Sequence, residues 1–486
     1  MIPPRRRSVL ALLLAPVLLA AAADPTSTTK EKKPEAAAEK WFVDLDMTIS
    51  AKAAPVPALA YRFYPSNAER KEGNAVPMYL RLAQERGDAR RKQVVMKPDE
   101  WNKLPLDKLP LADVRAFLDG YKYNLRQLHL GARRKTAEWN YSLDAGDPIG
   151  ILLPDMQEMR WQGPILALEA RLAIAEGRHA DAIRALEAGF SFSQQVSEGP
   201  FLICSLVGLA RASQYADCVA ELSQRPGAPN LYWALAVIPR PLIDLRKANE
   251  FEEAMLEMQF PDLADLNRPR PAAEWEATLR RVRTEMQRLS KGDANVQPVK
   301  VGNAATDPAA KSPDLPVARK YLLETVEMTA ATVDAMSPAE VLIRYLTHYF
   351  RELRDEVFKA TYLPFAQGRP LAIEAEKRLK SAPDTQAAEL ARLFLPAILK
   401  VQLADMRTER KLAALRAIEA LRMHAARTGK LPDKLAEVKI VPIPNDPGTG
   451  KPFEYELVGR TATLTSRIPG EPLNTTGLRY RLTLRK

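Results

Sequence analysis

Four histidines, His129, His179, His348 and His424, and two cysteines, Cys204 and Cys218, are the residues of this 486-residue chain whose types could support metal or nucleophilic chemistry. The histidines are widely scattered, whereas a zinc hydrolase needs two His on one helical face and a third ligand. His348 and Glu352 share a face at four-residue spacing, but Arg351 and Arg354 crowd the same turn, which reads as surface pairing. The stretch between Cys204 and Cys218 has no Pro and reads as one helix, so the sulfurs sit roughly 21 Å apart along it. That is beyond the ~7 Å Cα separation a disulfide can bridge. Both thiols fall on one side of that helix and read as small core residues. Gly448-Thr449-Gly450-Lys451 lacks the phosphate-loop pattern, which puts four residues between its glycines and Ser or Thr after the Lys. Here Pro452 follows, and the setting is a turn entering a strand. No Gly-x-Ser-x-Gly elbow occurs, and most carboxylates alternate with Arg, as in Arg351-Glu352-Leu353-Arg354-Asp355-Glu356. The expectation is therefore no catalytic residue, no cofactor and no metal ligand. A hydrolase whose two acids are assembled only by the fold stays open as the alternative, because such acids need not be close in sequence.

One polar-aromatic cluster stands apart as a candidate interaction site: Asn230, Tyr232, Trp233, Arg240, Asp244 and Arg246. Pro239 and Pro241 fix a bend there that can present Arg240 and Trp233 to a groove, and Asn230 is placed to cap the helix Leu231 to Ile238. Helix-junction packing is the plainer reading of the same residues.

The elements around this cluster are mostly helical. Val114, Phe117, Leu118, Tyr121, Leu125 and Leu128 recur at three- and four-residue spacing. Helices are expected from Pro164 to Glu176, from His179 to Val196 after a Gly177-Arg178 turn, and from Phe201 to Leu222. Ser337-Pro338-Ala339-Glu340 starts a helix from Val341 to Ala360. A long helix from Thr385, kinked at Pro396, runs to Arg427 and stops at Gly429. The tail then alternates at period two in Phe453/Tyr455/Leu457, Ala462/Leu464 and Leu478/Tyr480/Leu482/Leu484, the pattern of half-buried antiparallel strands, with Gly459-Arg460 as a hairpin turn. The expected partner of those strands is the Leu412, Leu415, Ile418 and Leu421 side of the long helix. Trp41 to Ile49 reads as a short strand or an adhesive segment.

At the N-terminus, Arg5-Arg6-Arg7, a short apolar run interrupted by Pro16 and an Ala20–Ala23 exit make the three parts of a signal peptide. Cleavage near Ala23 implies an exported protein, periplasmic or extracellular, with no transmembrane segment left after cleavage. The 71 Lys and Arg exceed the 60 Asp and Glu by 11, three of that excess lying in Arg5–Arg7. Arg90-Arg91-Lys92 and Arg133-Arg134-Lys135 are isolated triplets read as solvated helix faces, so no nucleic-acid partner is expected.

Residues 164 to 198 resemble a tetratricopeptide hairpin, with small residues at Ala170, Ala182 and Gly189, Leu186 at a large position and Gly177 at the turn; no second copy follows at 34-residue spacing. Residues 402 to 486 resemble the globular part of type II secretion pseudopilins in Leu421 to Thr428, Gly429-Lys430-Leu431-Pro432 and Asp446-Pro447-x-x-Gly450-x-Pro452-Phe453-x-Tyr455. No pilin leader precedes that helix and no acidic calcium loop follows. The layout as a whole is similar to a family of large, uncharacterised secreted bacterial proteins. The expected fold is mainly α, a tetratricopeptide-like helical hairpin array with a small C-terminal α+β module. Its divisions are 1–23 signal peptide, 24–40 disordered tether, 41–289 tetratricopeptide-like helical array, 290–316 linker or disordered loop, 317–401 helical region and 402–486 pseudopilin-like α+β module. The expected function is that of an exported, non-catalytic scaffold with protein partners in the cell envelope. The alternatives are an envelope hydrolase or an accessory of a secretion or pilus apparatus.

Overall fold

Local sequence signals set most of the element boundaries. In a computed structural model that describes residues 39–84, 98–141, 148, 151, 153–290 and 308–486, the chain runs β1 (Val43–Ile49), β2 (Lys71–Asn74), α1 (Val76–Gln84), α2 (Leu111–Gly120), α3 (Lys122–Ala132), β3 (Arg134–Thr136), α4 (Pro154–Ala175), α5 (His179–Ser197), α6 (Leu202–Ser223) and α7 (Tyr232–Ala236). It continues through α8 (Arg246–Gln259), α9 (Ala272–Ser290), α10 (Leu315–Glu324), α11 (Ala330–Ala335), α12 (Pro338–Phe358), α13 (Phe365–Ser381) and α14 (Gln386–Thr428) to β4 (Glu454–Val458), β5 (Thr461–Ser466), α15 (Leu473–Thr476) and β6 (Leu478–Leu484). The fold is mainly α with a small sheet at the C-terminal end, as the periodicities predict. Residues 1–23, read as a signal peptide, residues 24–38 of the expected tether and residues 291–307 of the expected linker lie outside the described residues, as does Arg90-Arg91-Lys92. Among the described residues, no helix is long and apolar enough to cross a membrane.

The chain divides into two compact units that interleave along the sequence. One contains the described residues between 141 and 151 and those between 246 and 402; the other contains the described residues up to Asn140, Leu153–Leu245 and Leu403–Lys486. In the first, α12 packs on α8, α9, α10 and α13. Ser337 caps α12 by accepting the Glu340 N–H at 3.2 Å, as expected. Glu352 accepts the Tyr321 hydroxyl at 2.7 Å and the Arg378 guanidinium, so its partners are these and not His348.

The second unit combines a three-helix layer with the sheet. Helices α4, α5 and α6 pack on one another, and glycines set how closely. A Cβ at Gly208 would lie 2.6 Å from the Ser193 carbonyl oxygen, and one at Gly189 would meet the Tyr215 ring at 2.9 Å. Tyr215, admitted by Gly189, donates its hydroxyl to the Gly163 carbonyl at 2.9 Å. Helix α4 begins at Pro154, ten residues before the expected start, and carries Pro164 in its interior. Both cysteines lie on α6, buried and unbridged, and burial pushes the Cys218 thiol well above its ordinary value. Neither thiol is therefore expected to react with a water-soluble disulfide reagent in the native protein, and both are expected to label in denaturant. Fast labelling of the folded protein would contradict this packing.

The sheet order is β1-β6-β5-β4, with β4, β5 and β6 antiparallel as predicted and β1 parallel to β6. The tail's sheet is thus completed by a strand from the opposite end of the chain, not closed within 402–486. Met47 and Ile49 of β1 are buried, while Asp44 and Asp46 meet Arg479 and Arg481 at the paired register positions. Arg479 holds the Asp44 carboxyl below its usual range through a hydrogen bond of 3.0 Å. Strand β1 falls in the Trp41–Ile49 segment read as a short strand or adhesive segment, whereas β2 and β3 interrupt the helical array expected over 41–289. Arg133-Arg134-Lys135 ends α3 and enters β3 instead of lying along a helix, with Lys135 paired to Glu72.

Helix α14 is buried on several sides at once within this unit. Residues 410, 414, 417 and 421 form one stripe. Its Arg410 donates to Ser466 Oγ at 3.1 Å and to the Thr476 carbonyl, at the sheet. Residues 411, 415, 418 and 422 form the next stripe. Its Lys411 reaches Asp217 of α6 at 2.7 Å, and its Arg422 reaches the Ala228 and Pro229 carbonyls. Leu415 and Ile418, expected to face the strands, lie on this second stripe. The helix ends as predicted, with Gly429 at φ +78° donating to the Ala425 carbonyl.

Candidate functional site

The segment 228–245 is anchored from below by a buried ion pair on α14. The Glu419 and Arg422 side chains are both wholly buried, with Arg422 Nη1 2.8 and 2.9 Å from the two carboxylate oxygens. Glu419 Oε2 accepts the Leu231 N–H at 2.8 Å, and its backbone carbonyl accepts Asn230 Nδ2 at 2.8 Å. Asn230 Oδ1 in turn accepts the Tyr232 N–H at 3.1 Å, but the helix starts at Tyr232 with Leu231 at its N-cap position, one residue later than expected, so Asn230 sits just outside the cap. The Tyr232 hydroxyl donates to the Pro442 carbonyl at 2.5 Å. Asn230 and Tyr232 are therefore buried structural residues. Trp233 packs edge-on against the Tyr232 ring with centroids 5.1 Å apart.

Beyond α7 the chain bends through Pro239, Arg240 and Pro241. Glu409 of α14 ties the bend down by accepting the Leu242 N–H at 3.0 Å. A groove of about 180 Å³ opens beside it, lined by Leu235, Ile238, Pro239 and Arg240, by Glu409, Leu412, Ala413 and Arg416 of α14, and by Pro444, Asn445 and Pro447. Of the six residues in the sequence cluster only Arg240 lines this groove. Asp244 is exposed nearby in the chain, and Arg246 opens α8 in the other unit. Leu412, expected on the strand-facing side of α14, lines the groove, while Glu409 and Arg416 carry no local signal because polar and apolar types alternate around this helix. The density of proline between 442 and 452 was the one signal for the opposite wall.

The Gly448-Thr449-Gly450-Lys451 turn that carries this wall is knitted to itself. Asp446, buried, accepts the Gly448 N–H at 2.9 Å, Thr449 Oγ1 at 3.2 Å and Ser466 Oγ at 2.5 Å. Its carbonyl takes the Thr449 and Gly450 N–H groups. These N–H donors are already engaged, so the turn is a strand entry and not an anion cradle. The four histidines stay apart: His129 meets Glu169 at 2.9 Å, His179 opens α5, His348 is half-buried in α12 and His424 is buried in α14.

No protein-family model, curated protein or solved structure matches this chain.

The electrostatics of the groove are uneven. Burial pushes the Glu409 carboxyl up, against the opposing effects of the Leu242 N–H and Arg240. One turn earlier, burial raises Asp405 well above the carboxylate range, and the charges of Glu409 and Asp244 add to it. Asp405 Oδ1 is buried with no hydrogen-bond partner among the described residues. A carboxyl raised in the folded state lowers stability at pH above its folded value and has no such effect below the unfolded value near ~4. Asp405→Asn is therefore expected to raise the urea midpoint at neutral pH, with the gain vanishing as pH falls toward about 4. An unchanged midpoint at neutral pH would show that Asp405 carries no burial penalty.

Proposed function

We propose that this chain is an exported, non-catalytic interaction protein of the cell envelope whose groove at the Pro239–Pro241 bend receives an apolar side chain of a partner protein. Carboxylates beside that side chain would meet Arg240 and Arg416. The observation that carries this reading is the lining: Leu235, Ile238, Leu412, Ala413 and three prolines surround the opening, with two arginines among them. Buried apolar pockets flanked by arginine are where protein interfaces concentrate their energy. Glu409, the one carboxylate in the lining, is already committed to the Leu242 N–H. The N-terminal Arg cluster, apolar run and Ala exit support an envelope or extracellular location.

A photo-crosslinking side chain placed at exposed Asn445 tests the reading in intact cells. A discrete protein adduct that disappears in Arg240→Glu and Arg416→Glu is the expected result. Absence of an adduct, or one indifferent to both charge reversals, would overturn it.

The unpartnered Asp405 oxygen, one helical turn from Glu409, favours a second reading as an envelope hydrolase working through paired carboxylates. Release of soluble fragments from purified envelope polymer by the wild type, abolished in Asp405→Asn, would replace the first reading. The edge strand β4 suggests strand addition by a secretion or pilus apparatus less well, because Glu454 and Glu456 lie exposed along it.

A further inference from the structure

A second concave surface, with its own residues and chemistry, lies between α3, α4 and α5. It encloses about 460 Å³ and is lined by Arg126, His129, Leu130 and Arg133 from α3 and its C-cap, Glu169 and Ala173 from α4, and Arg178, Asp181 and Arg184 at the start of α5. Four arginines face two carboxylates, and the pairing is unequal. Arg178 bonds both Asp181 and Glu176 at 2.5 Å, Arg184 also pairs with Asp181, and His129 takes Glu169. The Arg126 and Arg133 guanidinium groups make no hydrogen bond or ion pair with any described residue, although the Arg133 backbone carbonyl accepts the Lys71 N–H at 2.8 Å. Glu69 and Glu187 sense the charge of Arg133 without bonding to it.

Those two arginines belong to an exposed helix face on which no partner is seen among the described residues. Along α3, positions 123, 126, 130 and 133 recur at three- and four-residue spacing and so share one side. Tyr123 is 47% exposed and Leu130 42% exposed, while Leu125, Leu128, Gly131 and Ala132 fill the opposite, buried side. An exposed stripe that mixes Tyr and Leu with unpaired Arg has the composition of an interface centre and not of a solvated helix face, which would favour Lys and Glu. Guanidinium forks match carboxylates in a bidentate geometry. Leu130 between the two forks asks for an apolar group from the same ligand, which a bare polyanion does not supply.

We propose that this groove docks an acidic peptide segment of a partner protein, with two carboxylates on Arg126 and Arg133 and an apolar side chain against Leu130. The site shares no residue with the groove at the Pro239–Pro241 bend, so either can fail without the other. Fluorescence anisotropy with a labelled Glu-Asp-Leu-Glu-Asp-Leu peptide, a Glu/Asp peptide without Leu, and inorganic polyphosphate makes the test. The Leu-containing peptide is expected to bind saturably and more tightly than the other two, weakening as salt rises. Arg126→Glu combined with Arg133→Glu should weaken it by about tenfold or more. Leu130→Ser should weaken it several-fold while leaving polyphosphate binding unchanged. All three changes are at exposed positions, and an unaltered melting temperature will show that the fold is retained. The proposal is overturned by no saturable binding, by binding that survives the arginine reversals, or by polyphosphate binding as tightly with Leu130→Ser silent.

Discussion

Arg422→Met is expected to destabilise the protein by about 3–5 kcal/mol, the range for breaking a wholly buried ion pair. Glu419 would be left charged with only Ser223 Oγ at 2.7 Å and the Leu231 N–H as partners. Arg422 does more than neutralise it. Its Nε donates to the Ser50 carbonyl at 3.0 Å, Nη1 to Pro229 at 3.1 Å and Nη2 to Ala228 at 3.0 Å. One guanidinium thus satisfies three backbone acceptors from two chain segments, the exit of β1 and the loop after α6. Replacing both members of a buried pair by apolar residues is often neutral, because two desolvation penalties vanish together. Here the Glu419→Met/Arg422→Met double variant should stay destabilised, since those three carbonyls would lose their donor. Urea denaturation of the single and double variants checks this. A double variant as stable as wild type would mean that the pair is dispensable and the carbonyls find other donors.

Ile418→Asp is expected to cost about 4 kcal/mol or more, because residue 418 is fully buried and Arg422, one turn along the same stripe, is already committed to Glu419 and three backbone carbonyls. The informative comparison is with its two neighbours on α14. Ala417, on the Arg410 stripe beside the sheet, is also fully buried. Ala417→Leu should cost about 1–3 kcal/mol through overpacking. Arg416 lines the groove with its guanidinium 5.8 Å from the Tyr232 ring, and Arg416→Asp should stay within about 1 kcal/mol. A helix lying on the sheet by a single face would leave Ala417 or Ile418 tolerant. Equal tolerance at 417 and intolerance at 416 in thermal melts would invert the assignment of its sides.

The candidate sites divide the same way between what is legible locally and what is not. A helix start close to Asn230, and the bend at 239–241, follow from residue types alone. That Arg240 lines a groove, while Asn230 and Tyr232 are spent on anchoring the chain, depends on Glu419 and Pro442, about 190 and 210 residues away. The Tyr123, Arg126, Leu130 and Arg133 stripe is written in the sequence as a spacing, but spacing does not say which side of an amphipathic helix is covered.

By itself the sequence determined the helical character, the ends of α5, α6, α12 and α14, the Gly177 and Gly429 stops, and the three alternating strands of the tail. Each of these depends on backbone hydrogen bonds, side-chain periodicity or φ preference within a few residues, where composition leaves a readable mark. Only the tertiary structure decided that β1 joins β6, 435 residues away at Asp44 and Arg479, although Asp44 and Asp46 there match Arg479 and Arg481 in spacing. Parallel pairing needs no connecting turn and so leaves no signal of its own between the strands. Tertiary packing likewise decided which elements surround α14. A helix buried on several sides by partners of different chemistry carries charged, small and large residues all round, and the 3.6-residue period that would have revealed its orientation cancels.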